Sequence, residues 1–105
     1  MGQSSWMSLL GLANRARKII SGEELVLKEV RNGKAKLVLL SKDASENTRK
    51  KISDKCRYYE VPMVLVENRE QLGSSIGKDA RVVVAIMDIG FSKKLIEMLD
   101  ESQWG

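Results

Sequence analysis

Histidine is absent from this chain, and cysteine and proline each occur once among its 105 residues. Without an imidazole there is no base for a Ser-His-Asp or Cys-His nucleophile. The single thiol, Cys56, leaves no His/Cys set for zinc, and no carboxylate cluster stands at ligand spacing. One cysteine also excludes an internal disulfide, which makes a reducing cytoplasm the expected location. No apolar run approaches the ~18 residues a membrane span needs, and nothing resembles a signal peptide, so no membrane association is expected. Aromatic residues are sparse at 5%. Repeats, linkers and low-complexity segments are missing as well, so residues 1–105 read as one domain with a core from about 5 to 101.

What is present is a globular composition, 43% hydrophobic and 30% charged. The net charge of +4 is unevenly spread. Residues 1–57 hold 13 basic and 6 acidic side chains, whereas residues 58–105 hold 5 and 8. Basic character gathered in one half suits a face that meets a polyanion, although a solvated surface has the same composition.

Hydrophobic spacing gives the elements. Trp6, Leu9, Leu10 and Ala13 recur at helical intervals within Ser5–Ala16. A second helix is predicted over 22–32 and stops at Asn32-Gly33, with Val26 and Val30 inward. Leu37–Leu40 is a continuous apolar run, as in a strand covered on both faces. Asp43-Ala44-Ser45-Glu46 offers a capping box for a helix reaching about Tyr59, with Ile52, Cys56 and Tyr59 buried. Val61–Val66 is a strand with Pro62 near its start, where a missing donor is tolerated. Asn68 and Gln71 cap a short helix ending near Gly77, Arg81–Met87 is the strongest strand, and Phe91–Leu99 is a final amphipathic helix. Lys18-Ile19-Ile20 suggests a short edge strand. Helices alternating with apolar strands imply an α/β domain around a mainly parallel, sandwiched sheet. Met1–Ser5 and Ser102–Gly105 are expected to be loose ends, with Trp6 and Trp104 packing against the domain.

Three constellations carry possible chemistry. Gly73-Ser74-Ser75-Ile76-Gly77 fits G-x-S-x-G, but a nucleophile elbow needs a preceding strand and a histidine, so these glycines read as packing and turn positions. The same segment is one residue short of a P-loop, and Asp79 stands where Ser or Thr belongs. No enzyme activity, cofactor or metal is expected. The third constellation is Ser21-Gly22-Glu23-Glu24-Leu25-Val26-Leu27-Lys28, a helix start with Ser21 as N-cap and Glu24 as its capping-box partner. Exposed first-turn amides and the positive end of the helix dipole can hold phosphate. Glu24, Lys28 and Arg31 share one face by i, i+4 and i+3 spacing, and Leu25 lies on its flank. Lys42 and the run Lys78-Asp79-Ala80-Arg81 stand at strand ends and can add to such a site.

Three ordered segments resemble one family: Ala16-Arg17-Lys18-Ile19-Ile20-Ser21-Gly22, Leu37–Ala44 and Leu72–Gly77. The chain is similar, from about Leu9 to Leu99, to the L-seven-Ae/L-thirty-e ribosomal-protein superfamily. Leu10-Gly11-Leu12-Ala13-Asn14-Arg15 extends the match toward its small bacterial YlxQ-like members. The resemblance implies a three-layer α-β-α sandwich around a four-stranded mixed sheet. It also implies binding of kink-turn RNA, a sharply bent duplex with tandem sheared G·A pairs, and possible association with the ribosome or translation factors. The family motif G-A-N-E-V-T-K aligns with Gly22–Lys28, where Gly22, Val26 and Lys28 match. Glu24 and Leu25 stand where the family places its guanine-reading Asn and Glu. The second contact loop, G-I-E-V-A, aligns with Gly77–Arg81 and retains Gly77 and the acidic Asp79.

The resulting interface comprises Gly22, Glu23, Glu24, Leu25, Lys28, Arg31, Lys42 and Lys78–Arg81. An alternative is a protein–protein module on the same scaffold with little direct RNA affinity, for which an exposed Leu25 would serve as anchor.

Overall fold

Alternate residues of each strand enter two separate cores, and this places the sheet between two helical layers. A computed structural model describes residues 2–104, with side chains described for 6–99. In chain order the elements are α1 (Gly2–Arg15), β1 (Ile19–Ser21), α2 (Glu23–Arg31), β2 (Leu37–Ser41), α3 (Glu46–Tyr58), β3 (Met63–Val66), α4 (Arg69–Ser75), β4 (Val83–Ile86) and α5 (Ile89–Trp104). Leu37, Leu39, Val64, Val66, Val84 and Ile86 face one core, with Trp6, Leu10, Leu72, Leu95 and Leu99 of α1, α4 and α5. Val38, Leu40, Val83 and Ala85 face the other, with Val26, Val30, Ile52 and Cys56 of α2 and α3. The period-2 geometry of a strand requires this division when both faces are apolar.

The sheet order is β1-β4-β2-β3. β2 and β3 are parallel, while β4 runs antiparallel to both β1 and β2. The sheet is therefore mixed, which corrects the mainly parallel arrangement read from the alternation of helices and strands. Apolar runs report burial on both faces but not direction, and β4 enters between β1 and β2 from the opposite end. β1 is the edge strand expected from Lys18-Ile19-Ile20, one residue later.

Several boundaries shift. Ser21 is the last residue of β1 and pairs with Val84, so it is not the cap of α2. That cap is Gly22, with φ 103° and ψ 141° and no capping side chain. On α3 the cap is Ser45, whose hydroxyl accepts from the Thr48 amide, rather than Asp43. Asn68 caps α4 as expected, accepting from the Gln71 amide at 2.8 Å. Tyr59, expected in the core, caps the C-terminus of α3 and is exposed. The ends assigned as loose continue as helix, α1 from Gly2 and α5 to Trp104, since no Gly or Pro interrupts 3–5 or 100–104. Trp6 is buried as expected, while the Trp104 side chain lies outside the described residues.

Four helices end alike. The amides of Lys18, Lys34, Val61 and Lys78 reach back to the carbonyls of Ala13, Glu29, Cys56 and Gly73. This is the Schellman pattern, which needs a left-handed residue just before each of those donors. Gly33 and Gly77 supply two of them, and Arg17 (φ 62°) and Glu60 (φ 58°) supply the others.

Candidate nucleic-acid interface

The antiparallel entry of β4 brings four chain segments to one end of the sheet. The C-termini of β1, β2 and β3 meet the N-terminus of β4 there, as the pairs Ser21–Val84, Leu40–Val83 and Ser41–Val66 show. Gly22, Lys42, Arg69 and Arg81 follow or precede those strands, so residues up to 59 positions apart in sequence share one edge.

An open pocket of about 370 Å³ lies at this edge, lined by Gly22 and Glu23, Ser45 and Thr48, and Arg69 and Arg81 together with Val82 and Val83. Gly22 joins β1 to α2 without a break. Its amide donates to the Val83 carbonyl at 3.2 Å, and its own carbonyl accepts from Val26 to begin the helix. A Cβ at Gly22 would meet nothing within 4 Å, so the positive φ, rather than space, demands glycine. The first-turn amides of Glu23, Glu24 and Leu25 have no intrahelical acceptor, and no side chain caps them. This is the uncapped positive end of a helix.

The loop 78–81 is held against α4. A Cβ on Gly73 would fall 1.8 Å from the Asp79 carbonyl oxygen, so only glycine admits the loop at that point. The Lys78 amide donates to Gly73, and Arg81 donates through its amide to the Arg69 carbonyl at 3.0 Å. The Arg81 guanidinium turns back to the Ala80 carbonyl at 2.9 Å. Arg69 is fixed in turn by Asp43, donating to its carbonyl at 2.7 Å and facing its carboxylate at 3.5 Å. Lys42 is tied to the end of β3 by its amide and faces Glu67 at 3.6 Å.

The sequence-derived residues separate into groups. Gly22, Glu23 and Arg81 line the pocket together. Glu24, Leu25, Lys28 and Arg31 form the exposed face of α2, with Leu25 53% exposed. Arg31 ends that helix, nine residues from Gly22 and about 13 Å along the axis, which sets it apart from the pocket. Glu23 does not face outward as a free acid. Its carboxylate accepts from the Thr48 hydroxyl at 3.1 Å and from the Lys51 ammonium at 2.7 Å. The Lys51 hydrogen bond, with smaller help from Thr48, holds this carboxyl below its ordinary value of 4.5. Lys78, Asp79 and Ala80 are exposed beside the pocket.

Arg69, Thr48 and Lys51 were not evident from sequence, because their partners lie 25 to 28 residues away. Ser75, the serine of the G-x-S-x-G pattern, donates to the Gln71 carbonyl at 2.6 Å within its own helix. Cys56 is buried, and desolvation pushes its thiol up to about 11, as for a core side chain. Among the described residues no helix is long and apolar enough to cross a membrane, and no group of His, Cys, Asp and Glu could hold a metal.

The structure is thus a small α-β-α sandwich that gathers a helix start and an arginine-bearing loop at one sheet end. Residues 4–96 match the Ribosomal protein L7Ae/L30e/S12e/Gadd45 family, and the chain belongs to that family. The RNA-binding protein YlxQ of Bacillus subtilis is 64% identical over 100 residues, covering 95% of this chain and all of the relative. The RNA-binding protein YlxQ of Enterococcus faecium is 49% identical, covering 90% of each chain. A solved structure from Bacillus halodurans, described as a protein with unknown function, superposes with a TM-score of 0.90 at 52% identity, covering 92% of this chain and 98% of that one.

Proposed function

We propose that this chain is a non-catalytic, cytoplasmic RNA-binding protein that recognises a kink-turn or similarly bent RNA. The observation that carries the reading is the uncapped start of α2 at Gly22, opening onto a pocket that Arg69 and Arg81 also line. Backbone amides and the helix dipole meet a phosphate there, and Arg81 adds a fixed positive charge. Lys28 neutralises a second phosphate from the exposed face of α2. Lys42 and the loop Lys78–Arg81 hold the strand on the other side of the bend. The names of the two YlxQ relatives, both RNA-binding proteins, support an RNA partner, and the family description supports ribosome association.

The chemistry at the helix start sets the specificity. Glu24 accepts from base amino groups, whereas Leu25 offers no acceptor at all. Recognition of the bend therefore rests more on backbone shape and phosphate contacts than on reading guanine edges. A second reading, a protein-binding module, is favoured by one observation: Leu25 presents an apolar side chain 53% exposed at the same face.

The test is affinity for a kink-turn RNA beside the same duplex without its tandem G·A pairs, at several salt concentrations. Tighter binding to the kinked RNA is expected. Equal binding to both would reduce the surface to a generic polycation site, and no binding at low salt would favour the protein partner.

A further inference from the structure

Outside the pocket at Gly22, α3 carries an exposed surface of unusual make-up. It holds five basic residues, Arg49, Lys50, Lys51, Lys55 and Arg57, against the acids Glu46 and Asp54. Two of the protein's few aromatic side chains close its C-terminal end. Tyr58 is 78% exposed, far beyond what burial of a ring would favour in a domain with two large cores. Its ring meets that of Tyr59 edge to face, with centroids 4.8 Å apart and planes at 79°. This contact leaves the Tyr58 ring facing solvent.

Lys51, Asp54, Lys55, Tyr58 and Tyr59 line one open hollow of about 540 Å³. Lys51, Asp54, Lys55 and Tyr58 stand at i, i+3, i+4 and i+7, in a single helical stripe, and Tyr59 follows as the C-cap. Among the described residues, no ion pair engages Lys50, Lys55 or Arg57. The hollow also adjoins the first pocket. Lys51 lines the hollow, Glu23 lines the pocket, and the two side chains are 2.7 Å apart.

We propose that this stripe is a second RNA subsite, which takes an unpaired segment continuing from the RNA held at Gly22. One base stacks on Tyr58, and the phosphate beside it lies against Lys55. Exposed aromatic rings among cations are how proteins hold single strands without reading sequence. Two lysines against the single carboxylate of Asp54 leave the hollow with a positive balance beside its rings, which suits a phosphate backbone. The inference rests on the RNA reading above, but its test separates the two.

Five RNAs serve: the kink-turn duplex and a straight duplex, each with and without a single-stranded tail, and the tail alone. Tails of about six uridines are attached at either end in turn. Kd is measured by fluorescence anisotropy for the wild type, Tyr58→Ala, Tyr58→Phe and Lys55→Ala. A tail is expected to tighten binding by about tenfold, within the range of one stacked base. Tyr58→Ala should remove this gain without weakening the untailed duplex, and Tyr58→Phe should keep it. Lys55→Ala should reduce the gain in part.

If kinked and straight duplexes bind alike, the bend reading fails, yet a Tyr58-dependent gain from the tail on either duplex still supports the subsite. A tail gain that is absent, or equal in the wild type and Tyr58→Ala, overturns it and leaves the ring pair to a protein partner. Thermal melts of the variants confirm that the exposed substitutions leave the fold intact.

Discussion

The Glu23 carboxylate and the Lys51 ammonium meet at 2.7 Å, bonding the first residue of α2 to the middle of α3. The Thr48 hydroxyl holds the second carboxylate oxygen. The pair does two things at once. It fixes the entry angle of the helix whose start forms the proposed phosphate site, and it removes a free negative charge from beside that site.

This pairing makes stability pH-dependent in a defined sense. The Lys51 hydrogen bond lowers the Glu23 carboxyl from 4.5, so its contribution is complete above that value and is lost as pH falls through the lowered one. The Glu23 hydrogen bond raises Lys51 from 10.5, so this contribution is present below 10.5 and lost as pH rises through the raised value. Glu23→Gln should lower Tm at neutral pH and converge with the wild type in acid. Melting curves between pH 2 and 7 check it, and a Tm difference independent of pH would dismiss the pair as a stabilising contact.

Glu60 occupies a left-handed position that glycine fills in two of the other helix ends. Glu60→Gly should therefore stabilise the protein by about 0.5–1 kcal/mol, the steric relief exceeding the added chain entropy. Urea titration should show a higher midpoint at unchanged m.

Gly73→Ala tests how the loop 78–81 is seated. The added methyl collides with the Asp79 carbonyl, backbone against backbone, so the loop must move. A loss of about 1–3 kcal/mol is expected, as for other overpacked sites. RNA affinity should fall beyond what the lost stability explains, read as Kd well below the melting transition.

Lys28→Ala should weaken RNA binding and reduce the slope of log K against log salt by about 0.7–0.9, one phosphate contact. An unchanged slope would remove Lys28 from the interface. Arg31→Ala, at the far end of α2, should change the slope less if the contacts gather near Gly22.

The core was legible because its signal is local. Val26 and Val30, Ile52 and Cys56, and the apolar runs at 37–40 and 82–86 all carry periodicity within a few residues. Strand direction was not legible, since Val83–Ile86 reads the same whichever way it enters the sheet. The cap of α2 was misplaced for a similar reason. Ser21 is a good cap by type, but its pairing with Val84 keeps it in the strand and passes the role to Gly22. In the site, Gly22 stood out as a glycine at a helix start, and the loop 78–81 as charge at a strand end that aligns with the family's second contact loop. Arg69 and Lys51 carried no such mark, because each acquires its place from a partner distant in sequence. Tyr58 carried no mark in the sequence and Tyr59 read as a core residue, so the exposed ring pair came only with the fold.

The most direct test of the central claim labels the two arms of a kink-turn RNA with a fluorescent donor and acceptor and follows energy transfer as protein is added. Arm closure is expected with the kinked RNA and not with the duplex lacking tandem G·A pairs, and Gly22→Val should abolish it. Unchanged arm separation on saturation, with equal affinity for both RNAs, would contradict the claim.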